Sequence, residues 1–238
     1  MKNKNYIIIG PSGGIGSQLT ADLNDSQSNL LLGYHNKIPK NGFSVLKSAP
    51  VDATSFDSIM NFFSKAVEIV EHIDGVVSLP GSIILKPPHL IKESEFNKAI
   101  DVNLKSAFSI IRSSGKLLND SSIILLSTAA VDIGLNNHEL IVAAKAGIES
   151  MIKSASRTYS KKNLRFNAVA PGLIDTPLSS RIVNNPAALE ISKKMQVSDR
   201  IGTPKDISNM IRFLLNPSNN WITGQTFRVD GGLSSTKS

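Results

Sequence analysis

The feature that most constrains the fold is an apolar strand followed directly by a glycine-rich turn near the start of the chain. Residues 6–9 are Tyr-Ile-Ile-Ile, and a fully apolar run suits a strand covered on both faces of a parallel sheet. The next seven residues include four glycines, and residues 17–23 have the composition of a helix. This order brings backbone N–H groups and a helix N-terminus to a position where a phosphate can bind. The sequence therefore predicts a phosphate-binding turn at the start of an α/β domain.

A chain of 238 residues can form one α/β domain or two small ones, and since no internal repeat or linker appears we expect a single domain over residues 1–238. Hydrophobic residues make up 41% of the chain, which is enough for a real core and too many for a disordered protein. The absence of cysteine excludes disulfides, thiolate metal ligands and cysteine nucleophiles, and no metal site is predicted. No apolar run reaches the length of a bilayer span and no signal sequence opens the chain. We therefore expect a cytoplasmic protein without a membrane partner.

The net charge of +7, from 26 basic and 19 acidic residues, has two explanations. It can indicate an acidic partner such as a phosphorylated cofactor, an acyl-carrier protein or nucleic acid. It can equally come from a surface that is generally rich in lysine and asparagine. The basic residues are scattered and have no interleaved aromatic residues, so we expect no nucleic-acid partner.

Strands and helices are predicted to alternate along the rest of the chain. Apolar runs predict further strands, each with its following turn, over residues 29–34, 43–47, 73–81, 122–128, 164–172 and 222–232. Apolar residues at helical spacing predict helices over 55–72 and 93–118, the second with Phe96, Ile100, Leu104, Phe108 and Ile111 on one face. Thr203, Pro204 and Asp206 have the residue types of a helix start.

The spacing Gly10-xxx-Gly14-Ile15-Gly16 resembles the glycine motif of the short-chain dehydrogenase/reductase family, with Ile9 at a position usually held by threonine. The resemblance covers essentially the whole chain, in the right order, and is nearest to 3-oxoacyl-[acyl-carrier-protein] reductases. It continues through Asp52-Ala53, Asn103, Ala143-Ala144-Lys145-Ala146-Gly147, Pro171-Gly172 and Thr176. The implied fold is a single Rossmann-like doubly wound parallel sheet of about seven strands, with helices on both faces.

The same resemblance implies a nicotinamide dinucleotide cofactor. Its binding residues would be Gly10, Ser12, Gly14, Ile15, Gly16, Tyr34, Lys37, Asp52, Ala53, Gly81, Lys145, Pro171, Gly172 and Thr176. No acid follows the second strand, where one would bind the ribose hydroxyls of NAD. Lys37, together with His35, could face a 2′-phosphate, which favours NADP. Gly13 occupies a position where many NADP-using relatives carry arginine or lysine, so NAD stays open.

The catalytic residues of the family are matched in part. The resemblance assigns the proton-relay asparagine to Asn103, the hydroxyl beside the substrate oxygen to Thr128, and the catalytic lysine to Lys145. Ile141 occupies the position of the catalytic tyrosine and has no proton to give. A general acid contributes roughly 10²–10⁴-fold to a rate, so ordinary carbonyl reduction should be slow.

Three sources could replace the tyrosine proton. His138 precedes Ile141 by three positions and would share its face of the helix if the helix already runs there. Lys145 could act through a water, or the substrate could carry its own acid. Tyr159 is excluded, because fourteen helical residues place it about 21 Å beyond Lys145.

Two functions are therefore open. One is an NAD(P)-dependent oxidoreductase with altered proton delivery, acting on a small carbonyl or alcohol substrate that could be linked to acyl-carrier protein. The other is a dinucleotide-binding partner subunit or sensor that has lost turnover. Retention of Asn103, Lys145 and Thr176 favours the enzyme.

The resemblance also implies that residues 177–202 form a mobile substrate lid. It further implies a homotetramer, in which the helix bearing Asn103 and the helix bearing Lys145 pair with their copies. Ala143, Ala146, Gly147 and Met151 would contact the other copy or pack on the chain's own sheet.

Overall fold

Within residues 2–39 and 45–236, which the computed structural model describes, seven strands form one parallel sheet. They are β1 (Asn5–Ile9), β2 (Asn29–Tyr34), β3 (Val45–Pro50), β4 (Gly75–Ser78), β5 (Ser122–Leu126), β6 (Arg165–Pro171) and β7 (Thr226–Val229). Their order across the sheet is β3-β2-β1-β4-β5-β6-β7, and every neighbouring pair is parallel. The chain reverses its direction across the sheet between β1 and β4. This doubly wound arrangement confirms the predicted fold class.

Helices cover both faces of the sheet. On one face lie α1 (Gly14–Asp25) and α8 (Pro204–Leu215), and on the other lie α2 (Phe56–Ile69), α4 (Ser106–Leu117) and α5 (Glu139–Thr158). Successive side chains of a strand point to opposite faces, and β1 divides accordingly. Tyr6 and Ile8 join the core under α1 and α8, while Ile7 and Ile9 join the core under the other three helices. The apolar first strand is buried on both faces, as its sequence predicts.

The long helix predicted over 93–118 consists of three parts. These are α3 (Glu93–Ile100), a π-helical turn (Asp101–Lys105) and α4. Phe96 and Phe108 are half exposed, at 49% and 48%, whereas Ile111 is buried. Residues four apart turn by about 40° relative to each other around an α-helix. The residues of the predicted apolar face therefore do not form one stripe along the helix axis, and only some of them reach the core. The π turn changes their register further.

Other boundaries differ by a few residues. The third strand runs over Val45–Pro50 instead of 43–47, and residues 43 and 44 lie outside the described part. The helix predicted to end near residue 72 ends at Ile69. The predicted start of α8 is correct in detail: Thr203 accepts from the backbone N–H of Asp206, and the Asp206 carboxylate accepts from the backbone N–H of Thr203.

The segment between β6 and α8 carries two short helices, α6 (Ser180–Val183) and α7 (Pro186–Lys194). Leu178 and Ile191 on this segment are more than half exposed. Its role as a mobile lid stays a prediction. Among the described residues, no helix combines the length and the apolar character that crossing a membrane would require.

The helix surface proposed for contact between copies is partly used within the chain. A Cβ at Gly147 would lie 2.8 Å from Leu104 Cδ1, so the two helices that carry these residues touch closely at this point. Met151 packs against the chain's own core, whereas Ala143 is exposed. Of the two alternatives for these residues, internal packing accounts for Gly147 and Met151.

Candidate active site

Three neighbouring cavities lie at the carboxyl ends of the strands, where ligands bind in open parallel sheets. The first has a volume of ≈ 230 Å³ and is lined by residues that include Gly10, His35, Asp52, Ala53 and Gly81. The second, of ≈ 170 Å³, is lined by residues that include Gly81, Ile15, Asn103, Thr128, Ile141, Lys145 and Thr176. The third, of ≈ 490 Å³, shares Thr128 and Ile141 with the second. We call them the adenosine, central and distal cavities.

The glycine turn after β1 leaves room at the N-terminus of α1. Gly10 has a φ of +87°, a conformation that glycine adopts without strain. A Cβ at Gly16 would overlap the carbonyl oxygen of Gly10, so only glycine allows this turn to close. Gly13 is the N-cap residue and no side chain caps the helix there. The first N–H groups of α1 are thus open toward an anion, which fits the diphosphate of a dinucleotide.

Gly14 has a second role that the sequence does not reveal. A Cβ there would lie 2.7 Å from Cγ2 of Thr176, so glycine lets the loop after β6 approach the glycine turn. The Thr176 hydroxyl is within 3.1 Å of Oγ of Ser179, whose own hydroxyl donates to the carbonyl of Ile174 at 2.5 Å. These contacts fix Thr176 at the edge of the central cavity.

Two basic residues lie near the adenosine cavity. The Ser12 hydroxyl donates to the backbone carbonyl of Lys37, which holds Lys37 beside the glycine turn, and the Lys37 side chain is exposed. His35 lines the cavity together with Asp52, whereas Tyr34 is half-buried and is not among its lining residues. Hydrogen bonds from the hydroxyl and the backbone N–H of Thr54 lower the pKa of Asp52. Asp52 is therefore ionised at neutral pH.

Lys145 lies on α5 and is 93% buried, with a relative exposure of 7%. Its Nζ donates to the carbonyl oxygen of Leu126, at the end of β5, over 2.8 Å. No acidic residue in the described ranges forms an ion pair with it. Burial without a counter-charge disfavours the ammonium form and lowers the pKa of Lys145 to about 8.

Asn103 lies in the π turn and is almost fully buried. Its Nδ2 donates to the carbonyl of Ala99 at 2.9 Å and to Ser82 at 3.2 Å (O) and 3.1 Å (Oγ). Its Oδ1 accepts from the backbone N–H of Ser82 at 3.3 Å. The amide therefore ties the turn after β4, which contains Gly81, to the helix. Sequence reasoning missed Ser82, because a single serine in a loop carries no pattern.

Ile141, at the position that the sequence resemblance assigns to the family tyrosine, faces the cleft with an aliphatic side chain. Ile141 lines both the central and the distal cavity, and so does Thr128. Thr128 Oγ1 accepts from the backbone N–H of Ala130 at 3.3 Å, which leaves its own proton free to be donated. The two residues therefore form the junction at which a substrate oxygen would meet the cofactor cavity.

His138 lines the distal cavity with Thr128 and Ile141. It is the N-cap residue of α5, and its Nδ1 lies 2.8 Å from the carbonyl oxygen of Asn136. A carbonyl only accepts, so Nδ1 carries a proton and Nε2 is the nitrogen that remains available. The structure thus brings His138 to the same cavity as the residues of the predicted site.

An ion cluster that sequence reasoning missed lies next to the loop that carries Thr128. Arg228 on β7 donates two hydrogen bonds to Asp132 and two to Glu149, the latter at 3.0 and 2.9 Å. These bonds raise the pKa of Arg228, and they lower that of Asp132. Ser127, the residue before Thr128, donates to Glu149 at 2.5 Å. The cluster joins β7, α5 and the loop that carries Thr128.

No group of three or more histidine and acidic side chains that could hold a metal ion occurs in the ranges 2–39 and 45–236. The donor set around the central cavity consists of hydroxyls, amides and one lysine. These groups fit a dinucleotide ribose and nicotinamide, which offer hydroxyl and amide partners.

Comparison with known proteins identifies the family of the chain. A profile of the family described as "Enoyl-(Acyl carrier protein) reductase" matches residues 11–234. The 3-oxoacyl-[acyl-carrier-protein] reductase FabG of Thermotoga maritima is 27% identical, with 98% of each chain covered. The hydroxynaphthalene reductase-like protein Arp2 of Metarhizium anisopliae is 25% identical, over 98% of this chain and 95% of that protein.

The fold has close counterparts among solved structures. A short-chain type dehydrogenase/reductase from Mycobacterium ulcerans superposes with a TM-score of 0.91 at 20% identity, covering 98% of this chain and 90% of that one. With the profile spanning nearly all of the chain, the protein belongs to the short-chain dehydrogenase/reductase family of oxidoreductases.

Proposed function

We propose that the protein is an NAD(P)(H)-dependent oxidoreductase that interconverts a carbonyl compound and an alcohol, with proton delivery by a group other than tyrosine. The observation that carries the proposal is the junction of the central and distal cavities at Thr128 and Ile141, with Lys145 in the wall of the central one. A dinucleotide in the adenosine and central cavities would thereby adjoin a substrate in the distal cavity.

The cofactor would be held by groups already in place. The open N-terminus of α1 would take the diphosphate, Asp52 and Ala53 the adenine end, and Thr176 with Lys145 the nicotinamide riboside. When bound, nicotinamide supplies or accepts the hydride. We favour NADP, because Lys37 is held beside the glycine turn by Ser12 and no acid directly follows β2. NAD remains the competing cofactor in the test below.

This chain's residues would manage the proton at the substrate oxygen. Thr128 can donate a hydrogen bond to that oxygen, since its hydroxyl accepts from the backbone N–H of Ala130 and its own proton stays free. In reduction the oxygen must gain a proton, and His138, which lines the same cavity, would donate it from Nε2, because Nδ1 is bonded to the carbonyl of Asn136. In alcohol oxidation the same nitrogen would accept the proton. Lys145, whose pKa is about 8, would keep its charge at neutral pH and orient the ribose.

The alternative function is a dinucleotide-binding subunit or sensor without turnover. One observation favours it: Ile141 places a hydrocarbon at the position where the proton is needed. Both functions are compatible with a cytoplasmic homotetramer, which we propose as the working form of the protein. Turnover of a panel of ketones separates them.

Calorimetric titration with NADPH and NADH tests dinucleotide binding, which both functions require. We expect wild type to bind a dinucleotide, with NADPH bound more tightly. Gly13→Arg should increase the preference for NADPH several-fold, because Gly13 has an ordinary φ of −73° and an added Cβ there meets nothing closer than 3.7 Å. Gly14→Val is a blocking variant whose fold must be checked by circular dichroism, given the contact of Gly14 with Thr176. Absence of binding of either dinucleotide by wild type refutes the proposal.

A further inference from the structure

The distal cavity is large, and its lining carries no formal charge when His138 is neutral. Its volume of ≈ 490 Å³ lies within the range of about 300–1,000 Å³ that is usual for small-molecule sites. Among the described residues that line it, none is aspartate, glutamate, lysine or arginine, and His138 is the one titratable side chain. Aliphatic side chains dominate the wall: Ile83, Leu85, Leu135, Ile141, Leu173, Ile182, Ile191, Met195 and Leu233.

These aliphatic residues come from separate parts of the chain. They follow β4 (Ile83 and Leu85), β5 (Leu135) and β6 (Leu173), and the remainder belong to α5, the α6–α7 segment and the C-terminal residues. The apolar character is therefore a property of the whole wall and not of one helix face. The polar groups that line the cavity, Thr128, Asn136, His138, Ser192 and Gln196, can serve one or two oxygen atoms of a ligand.

A charged group buried against this wall would be poorly stabilised. A carboxylate, phosphate or ammonium group loses its hydration on burial, and that loss is repaid only by an opposite charge or several hydrogen bonds. The wall has no cation for a carboxylate or phosphate and no anion for an ammonium group. An apolar ligand body instead gains roughly 25 cal/mol for each Å² that it removes from water.

We propose that the substrate is an uncharged, mainly apolar ketone or its alcohol, taken up as a free molecule and not as a thioester on a carrier. This inference rests on the proposed function and specifies its substrate class. The reacting oxygen lies at Thr128, and the hydrocarbon body lies against the aliphatic wall. A carrier thioester would add amides and a phosphodiester, for which the lining offers five neutral or titratable polar side chains and no cation.

Paired ligands test the inference through binding alone. The first probe is 2-tetralone, an uncharged bicyclic ketone, and the second is a tetralone that bears a carboxylate on its aromatic ring. Calorimetry is performed on the full chain saturated with NADP⁺. We expect 2-tetralone to bind at least tenfold more tightly than its carboxylate. Acetoacetyl-CoA serves as the thioester probe and is expected to bind more weakly than 2-tetralone.

A positive charge placed in the wall should reverse the order of the affinities for 2-tetralone and its carboxylate. Met195→Lys is expected to weaken the binding of 2-tetralone at least tenfold and to strengthen the binding of the carboxylate, whereas Met195→Leu, which keeps an uncharged apolar side chain, should preserve the order of the two affinities. Val197→Lys is the matched control, because Val197 is 69% exposed and does not line the cavity.

The outcomes that would contradict the substrate class can be told apart from failure of the proposed function. If NADP⁺ and NADPH bind but 2-tetralone does not, or if the carboxylate or thioester binds more tightly, the substrate class is wrong while dinucleotide binding stands. If no dinucleotide binds to wild type, the proposed function itself fails and the inference fails with it. Equal loss of 2-tetralone binding in Met195→Lys and Val197→Lys would also overturn the assignment of the cavity.

Discussion

At the scale of single residues, the identity of position 141 decides how the site can work. Residues 141 and 145 are four apart on α5, so their side chains share one face one turn apart. A phenol at 141 would lie beside the Lys145 ammonium, whose charge lowers a phenol pKa. Ile141→Tyr is therefore expected to raise turnover of a small ketone by on the order of 10²-fold. The measurement is steady-state NADPH oxidation, with NADPH binding titrated in parallel.

Ile141→Phe is the matched control, because it adds the same ring without the hydroxyl and should give no gain. The ring has room, since Ile141 borders the ≈ 490 Å³ cavity. If wild type turns over at a normal rate and the tyrosine variant is no faster, the group that replaces the tyrosine, which we propose to be His138, already supplies the proton efficiently. His138→Gln should then abolish most of the activity. His72→Gln should not, because His72 precedes β4 and therefore lies at the amino ends of the strands, away from the cavities at their carboxyl ends.

Lys145 predicts a specific dependence of stability on pH. Below pH 8 the lysine is protonated in both folded and unfolded protein, and the cost of burying its charge is constant. Between about 8 and its ordinary value of 10.5 the unfolded chain binds more protons, so the free energy of unfolding rises with pH. The full rise is on the order of 3 kcal/mol, and it is complete above pH 10.5.

Lys145→Met removes this titration while keeping a side chain of similar length. Urea unfolding of the apo protein should be measured from about pH 7 to 9.5. The free energy of unfolding of the variant should exceed that of wild type most at pH 7, and the difference should shrink toward pH 9.5. This range lies below the ionisation of tyrosine, which matters because burial raises the pKa of Tyr6 and makes stability fall at higher pH. A stability difference that does not change with pH would contradict the buried, uncompensated ammonium.

At the scale of elements, the sequence predicted what depends on local chemistry. The strand and glycine turn at β1 and the capping residues Thr203 and Asp206 are local signals, and each is found where expected. The π turn around Asn103 could not be located from spacing, because an inserted residue changes the helix register without changing the residue types. The family pattern identified Asn103, but its bonds to Ser82 depend on a loop that is distant along the chain.

The ion cluster of Arg228 was also beyond the sequence, because its members lie far apart in the chain and resemble ordinary surface charges. Arg228→Met should lower the free energy of unfolding by about 1–3 kcal/mol, since it leaves Glu149 and Asp132 without their donor. The side chains are partly exposed, at 22% for Arg228 and 12% for Glu149, so solvent screening keeps the loss below that of a fully buried pair.

A double-mutant cycle isolates the contact with Glu149. Arg228→Met with Glu149→Gln should cost less than the sum of the two single changes, because the second removes a carboxylate that the first leaves unpaired. Arg228→Lys should restore part of the stability. Additive single changes would show that the cluster does not couple β7 to α5.

At the scale of the whole molecule, the fold was predictable and the chemistry of the distal cavity was not. The glycine turn and the doubly wound parallel sheet of seven strands follow from patterns that keep their spacing along the chain. The distal cavity is built from single residues on several loops, such as Leu85, Leu135 and Leu233, and no periodicity connects them. Its lack of charge emerges only when the loops are brought together at one edge of the sheet.

The outer surface of α4 leads to the last prediction, which concerns assembly. Phe108 is 48% exposed and its ring stacks on Phe56 at a centroid distance of 5.9 Å, while the Arg112 guanidinium lies 5.3 Å from the centre of the Phe56 ring. An aromatic pair with a neighbouring arginine is typical of interface centres. We expect a homotetramer by light scattering at micromolar concentration.

Phe108→Glu should dissociate this assembly at the same concentration, because it places a carboxylate at the centre of an apolar contact. The chain itself should stay folded, since half of the Phe108 side chain already faces solvent in a single copy. Phe213→Glu is a matched control, since Phe213 is 47% exposed but lies on α8, which packs on the opposite face of the sheet. A wild-type mass of one chain would reject assembly altogether. A tetramer that survives Phe108→Glu would mean that copies meet through a surface other than α4.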